Sequence, residues 1–166
     1  MKIGVISDTH GTLPRQVYSF FDQCDEVWHC GDIGPGVFDE LRQFKPTRAV
    51  YGNIDGGDLR LELPRTAIFS VGGLKVVMTH IGGYPGHYQP AIGRLLSTER
   101  PDIFVCGHSH ILKIMYDKQL QLLHINPGAA GCYGIHRFST LVRFDIDGTP
   151  RNAQILEFPK FATSAE

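Results

Sequence analysis

His108 and His110 stand two residues apart in the stretch "VCGHSHI", Val105 to Ile111, behind the apolar run "DIFVC". In an extended segment, residues i and i+2 point to the same side, so both imidazoles would face one space. A metal ion suits that arrangement, and so does a turn cap beside a surface histidine. The pair gains meaning from what else the chain delivers to comparable places. "SDTHG" carries Asp8 and His10, "HCGDIG" carries Asp32, "VYGNIDGG" carries Asn53 and Asp55, and "KVVMTHIGG" ends in His80. Each stretch follows a run rich in Val, Ile or Phe. Singly, Asp-x-His, Gly-Asp and Gly-Asn are ordinary turn dipeptides. Recurring at five successive strand ends, Asp8, His10, Asp32, Asn53, His80, His108 and His110 form a set of O and N donors. That set exceeds one tetrahedral zinc and fits two metal ions sharing a carboxylate.

The elements that must position these residues are legible as patterns. "KIGVIS", "EVWHC" and "TRAVYG" read as strands. Leu13, Val17, Phe20, Phe21 and Cys24 repeat at helical spacing with Pro14 near the start, and Val37, Phe38, Leu41 and Phe44 repeat in the same way. Strand, helix and strand with short connections imply right-handed parallel crossovers. "TAIFSV", Gly72-Gly73 and "LKVVMTH" read as a hairpin. A third helix follows, with Ala91, Ile92, Leu95 and Leu96 on one face. After "DIFVC", the runs "LKIMYD", "QLQLLHI", "STLVRFDI" and "NAQILEF" read as a closing β meander, with a turn at Asp147-Gly148. A βαβαβ half before a β-rich half suggests two packed mixed sheets with helices outside, and ligands of such sheets sit beyond the carboxyl ends of the strands.

The 166 residues, 42% hydrophobic, suit one domain over 1–166, with residues 158–166 read as a tail that frays. Sixteen basic against seventeen acidic residues leave a net charge of -1, which offers no long-range positive field for nonspecific nucleic acid binding or for an anionic membrane. The start "MKIGVISD" lacks a secretory h-region, and no apolar run reaches roughly eighteen residues, so a cytoplasmic protein without a membrane span is expected. Cys24, Cys30, Cys106 and Cys132 lack C-x-x-C spacing and read as small buried residues. A homo-oligomer is compatible with this composition.

The ordered motifs "SDTHG", "GD", "GNID", "TH" and "GHSH", followed by "NPG", resemble the calcineurin-like metallophosphoesterases, and within them the small prokaryotic phosphodiesterase branch. The resemblance runs from Met1 to about Arg143. It implies an α/β fold, a four-layer αββα sandwich of two mixed β-sheets flanked by helices, with a dinuclear metal centre. It would put Asp8, His10 and His110 on one metal and Asn53, His80 and His108 on the other, with Asp32 bridging.

Two divalent ions and two carboxylates leave a centre of about +2, which attracts an anionic phosphoryl group. Metal coordination lowers the pKa of water from about 15.7 toward 7, so a bridging hydroxide would serve as nucleophile in in-line attack at phosphorus. Imidazole and carboxylate donors favour Mn, Fe, Ni, Co or Zn over Mg, and the resemblance implies Mn. The expected substrate is a small phosphate ester or phosphodiester. Asp55 reads equally as a brace for a ligand and as the closure of a Gly-rich turn. "NPGAAGCYG" reads as a loop that approaches substrate with backbone N–H groups, or as an ordinary surface loop.

Two departures from the family pattern bear on the leaving group. Ile54 stands where many relatives carry a proton-donating histidine, and Gly82 stands where the branch often has one; Ala129 replaces a serine. His10, a water, or His87 from the Gly- and Pro-rich stretch "THIGGYPGHYQP" would then serve as acid. The catalytic set is thus His10, Asp32, Asn53 and His87. A scaffold on the same fold, as in a retromer subunit, is the alternative, and a mononuclear zinc hydrolase using part of the set is a third reading. Retention of the full donor set favours the enzyme.

Overall fold

The computed structural model describes residues 1–160. Twelve strands and four helices run in the order β1 (Lys2–Ile6), α1 (Gln16–Phe20), β2 (Glu26–His29), α2 (Val37–Phe44), β3 (Thr47–Ala49), α3 (Gly57–Glu62), β4 (Thr66–Val71), β5 (Leu74–Thr79), β6 (Gly83–Tyr84), β7 (His87–Tyr88), α4 (Pro90–Glu99), β8 (Ile103–Val105), β9 (Leu112–Asp117), β10 (Leu122–Pro127), β11 (Phe138–Asp147) and β12 (Thr149–Pro159). One five-stranded sheet has the order β12-β11-β1-β2-β3 and the other β4-β5-β8-β10-β9, with β6 and β7 forming a separate hairpin. Strands β1, β2 and β3 are mutually parallel, as are β5, β8 and β10. Each sheet therefore sends three parallel carboxyl ends the same way.

The two sheets share an interior built from Ile3, Val5, Trp28, Val76, Met78, Ile103, Val142 and Phe144, all essentially inaccessible to water. Val17 of α1, Phe21 just after it, and Val37 and Leu41 of α2 pack on the outer face of the first sheet around Ile6 and Val27. Leu96 of α4, with Ile92 and Leu95, covers the outer face of the second sheet over Val77 and Phe104. Helix, sheet, sheet and helix are the four layers that the motifs led one to expect. Continuous burial of the central strands, with both faces covered, explains their unbroken apolar runs.

Three local expectations need correction. The helical periodicity of Leu13 to Cys24 yields only the five-residue α1, because Val17, Tyr18, Phe20 and Phe21 have modest helix propensity; those apolar positions pack on the sheet from turns as readily as from a helix. The closing strands form two hairpins in different sheets rather than one meander: β9–β10 completes the second sheet and β11–β12 the first. Phe158 and Pro159, expected to fray, pair with Ser139 and Phe138, and Phe158 is buried. Residues 161–166 of that tail lie outside the described residues. No described helix is long and apolar enough to cross a membrane.

Candidate metal centre

Each of the seven donor residues follows the carboxyl end of β1, β2, β3, β5 or β8. The loops after β1 and β2 are tied side by side: the amides of Asp8, His10 and Gly11 donate to the carbonyls of Gly31, Asp32 and Ile33 at 3.0, 3.0 and 2.8 Å. This ladder fixes the separation of Asp8, His10 and Asp32 before any side chain is considered. Gly52 lets the loop after β3 come in close, since a Cβ there would overlap Asp32 Oδ1.

Two groups of three donors result. Asp8, His10 and His110 present atoms within 4.8 Å of one another, and so do Asp32, His80 and His108. Asp32 faces both: its Oδ1 lies 3.3 Å from His80 Nε2, and its Oδ2 lies 3.6 Å from His10 Nε2. Asp8 Oδ1 is 3.3 Å from His110 Nε2 and 3.9 Å from His80 Nε2. Asn53 is exposed on the rim of a cleft shared with His80. His87 is not brought to either group. It lies on the β6–β7 hairpin with its ring 4.8 Å from Tyr84, exposed to solvent.

Whether these residues fit metal ions can be tested on their polar atoms. Asp8 Oδ1, His10 Nε2 and His80 Nε2 are buried and have no hydrogen-bond partner. His80 Nδ1 donates to the Cys30 carbonyl at 2.8 Å, which leaves the Nε2 lone pair directed at the group. Asp8 Oδ2 accepts from the His108 amide at 3.1 Å, and Asp32 Oδ1 from the Ile54 amide at 3.0 Å, so one oxygen of Asp8 is fixed while the other stays open. Orphaned donors of this kind, converging from the ends of β1 and β5, are costly without a cation. They fit a metal site.

Strain points to the same place. Asp8, His10, Asp32, His108 and His110 all have φ between 46° and 67°, the left-handed region that non-glycine residues rarely occupy. The extended geometry expected for "GHSH" is thus replaced by a turn, because β8 ends at Val105. The left-handed backbone, not strand alternation, sends His108 and His110 into different groups. Burial works to raise the Asp32 pKa, but the neighbouring His80 imidazole and the hydrogen bond from the Ile54 amide outweigh it and hold the carboxyl below its ordinary value. Burial likewise works to lower His80, and the Asp32 and Asp8 carboxylates overcome it and raise the imidazole.

Several contributors went unread or half-read in the sequence. The Asp55 carboxylate accepts from the amides of Ile33 (3.0 Å), Gly34 (2.9 Å) and Gly52 (2.8 Å), so it both closes its own turn and holds the loop that carries Asp32. His29 accepts from the Gly31 amide at Nδ1 and meets Thr9 Oγ1 at Nε2, 2.9 Å away, while Thr9 donates to the Ile33 carbonyl. A neutral ring with its proton on Nε2 satisfies all three, and burial lowers its pKa to about 4. The NPG stretch braces the site rather than reaching for substrate: Asn126 Nδ2 donates to the Gly107 carbonyl, and the Ala130 and Gly131 amides are spent on the carbonyls of Ser7 and Asp8. Its continuation places Tyr133 stacked on His10 at 4.7 Å and His136 edge-on to His110 at 5.1 Å. Their position in a glycine-rich loop after β10, a sixth strand pointing at the site, was the available signal. A histidine could not take the place of Gly82 without displacement, since a Cβ there would lie 2.5 Å from Phe104 Cζ.

Comparison with known proteins agrees with this geometry. The chain is 30% identical over 162 residues, 94% of its length and 92% of the relative's, to a probable metallophosphoesterase of Methanothermobacter thermautotrophicus. It superposes with a TM-score of 0.76 and 26% identity on a structure described as a novel archaeal phosphodiesterase, covering 95% of this chain and 100% of that one. Vps29 of Chaetomium thermophilum, at 16% identity and a TM-score of 0.73 over 96% and 99% of the two chains, shares the fold. The sequence profile of the calcineurin-like phosphoesterase superfamily domain matches residues 1–149. That family and the two donor groups imply divalent metal ions. The chain belongs to the calcineurin-like phosphoesterase superfamily.

Proposed function

We propose that the protein is a metal-dependent phosphodiesterase with a dinuclear centre. In this reading Asp8, His10 and His110 hold one ion, Asn53, His80 and His108 hold the other, and Asp32 spans both. The observation that carries it is the disposition of Asp32, whose two oxygens face His80 and His10 in different donor groups. Its lowered pKa keeps it a carboxylate at neutral pH, and the Ile54 amide fixes the oxygen on the His80 side. The relatives named as metallophosphoesterase and phosphodiesterase support the reaction class. When bound, the ions would supply an activated water near neutral pH and positive charge against the phosphoryl oxygens. Manganese is the proposed ion, in keeping with mixed imidazole and carboxylate donors; Fe, Ni, Co and Zn suit the same set.

The protein's own groups do the rest. His10 is held flat by Tyr133, which shields its face from water, and Asn126 and the Ala130 and Gly131 amides keep the loops carrying Asp8 and His108 at their spacing. Ile54 exposes its side chain beside Asn53, so the acid for the leaving group must come from elsewhere, with His10 or a water proposed for it. A cytoplasmic setting is part of the proposal, supported by Cys24, Cys30 and Cys106 being buried free thiols.

Metal analysis of purified protein should return two transition metal ions per chain, with hydrolysis of bis(p-nitrophenyl) phosphate on adding Mn. Asp32→Asn should reduce both occupancy and turnover; one ion or none at saturation would reject the dinuclear assignment. A binding subunit on this fold is the second reading, favoured by the exposed Ile54 and Ile111, which follow Asn53 and His110 in sequence, and by the exposed Tyr133 stacked on His10. Two bound ions without turnover on any ester of a mono- and diester panel would select it.

A further inference from the structure

A cleft of about 1000 Å³ opens beside the donor groups, sharing Asn53 and His80 with them and running between α3, the ends of β4 and β5, and the first turns of α4. This volume is far more than a single phosphoryl group fills; it is at the upper end for small-molecule sites. Three arginines line it, Arg60, Arg65 and Arg94, and among the described residues no aspartate or glutamate does. Acidic residues of the same region line a separate, smaller cleft instead, where Asp39, Asp58 and Glu62 gather.

The three arginines are not equivalent. Arg60 is committed to the wall: its Nε donates to the Asp55 carbonyl at 2.5 Å, a terminal nitrogen donates to the Asn53 carbonyl at 3.3 Å, and its guanidinium lies 5.0 Å over the Tyr51 ring. Arg65, at the entry to β4, and Arg94, on α4, have no ion pair and no side-chain hydrogen bond among the described residues. Two unpaired guanidinium groups from different elements, facing one cleft in a chain of net charge -1, create a local positive field where the protein as a whole has none. A guanidinium presents donors in a fork that matches the oxygens of phosphate, so the chemistry awaited here is a second anion.

We propose that this cleft is a subsite for a second phosphate of the substrate, so that the preferred esters are those of nucleotide size carrying an additional anionic group beyond the scissile phosphate. The inference rests on the phosphohydrolase reading for what occupies the donor groups, and on Arg65 and Arg94 alone for what occupies the cleft. The simplest diester reporter, bis(p-nitrophenyl) phosphate, has no second anion and would leave the subsite empty.

The test compares adenosine 5′-monophosphate with adenosine 3′,5′-bisphosphate as ligands of the wild-type protein, of R65Q and R94Q, and of the double variant. Competition against the nitrophenyl diester gives one ratio of inhibition constants. Calorimetric titration into metal-depleted protein gives a second that does not depend on turnover. A charge-assisted contact at each arginine predicts at least a tenfold preference for the bisphosphate in wild type, weaker at high salt and abolished in the double variant. Equal affinity for the two nucleotides in wild type, or a preference that survives loss of both arginines, would overturn the proposal. If the reporter is not hydrolysed at all, the phosphohydrolase reading fails while calorimetry still decides the subsite. Both substitutions are at exposed positions, and an unchanged thermal transition establishes that the variants fold.

Discussion

Asn126 Nδ2 lies 3.1 Å from Ser109 Oγ, the residue set between His108 and His110, and the same nitrogen donates to the Gly107 carbonyl at 2.9 Å. One buried amide on β10 therefore holds the start and the middle of the turn that aims two imidazoles. Asn126→Ala leaves the Gly128 amide without its partner and the Gly107 carbonyl with the Ser109 amide alone, and should cost about 1–3 kcal/mol in urea denaturation. Metal affinity, read by titration, should fall about 10–100-fold, as it does when groups that orient ligands are lost. Unchanged affinity would mean that the turn holds its shape alone.

His108 and His110 belong to different donor groups, so their replacements should differ in which ion is lost and agree in the loss of activity. Alanine at either position should lower turnover by more than the roughly 100-fold expected for an orienting contact. Each variant should keep close to one ion per chain and a nearly unchanged thermal transition, because the site lies at the edge of the sandwich. Near-normal turnover in both would return "GHSH" to the status of an ordinary turn.

The His87 ring rests on Tyr84, whose face is in turn covered by Lys113 at 4.5 Å, so this histidine points its chemistry at its own hairpin. His87→Ala should leave nitrophenyl and alkyl diesters alike in rate. A leaving-group acid would behave differently, slowing alkyl diesters by about 10²-fold while sparing nitrophenyl esters. That selective loss, measured by steady-state kinetics on the two ester types, would make the hairpin a mobile part of the site.

His124 is fully buried with neither ring nitrogen hydrogen-bonded, between Phe104 and Tyr88, and burial lowers its pKa from 6.5 to about 4. The unfolded chain takes up a proton below pH 6.5 that the folded chain refuses until about 4. Stability contributed by the neutral ring is thus complete above pH 6.5 and lost as pH falls toward 4, by about 2 kcal/mol at pH 5. His124→Leu should shrink the difference in unfolding free energy between pH 7.5 and pH 5 by about that amount. An identical difference in variant and wild type would show that the ring is charged in the native state.

The sequence by itself determined the strands other than β6 and β7, two of the helices, the turns at Gly72-Gly73 and Asp147-Gly148, and the candidate donors, because these are local: apolar runs of strand length, 3.6-residue periodicity, Gly-Gly and Asp-Gly steps, and polar residues placed just past strand ends. Asp8, Asp32, His80 and the rest could be named without coordinates since every one follows a β-like run. What the sequence left undetermined depends on which strands become neighbours. That β11 pairs with β1 while β10 pairs with β8, splitting the closing strands between two sheets, is a matter of burying both faces of each sheet at once, and no local pattern encodes it. The division of His108 from His110 rests on left-handed backbone angles that the Asp8 carboxylate and the Asn126 amide hold in place from distant strands. The gathering of Arg65 and Arg94 about one cleft belongs to the same class: an exposed arginine before a strand and another on a helix carry no signal singly, and only the packing of α4 beside the end of β5 brings them to a common space.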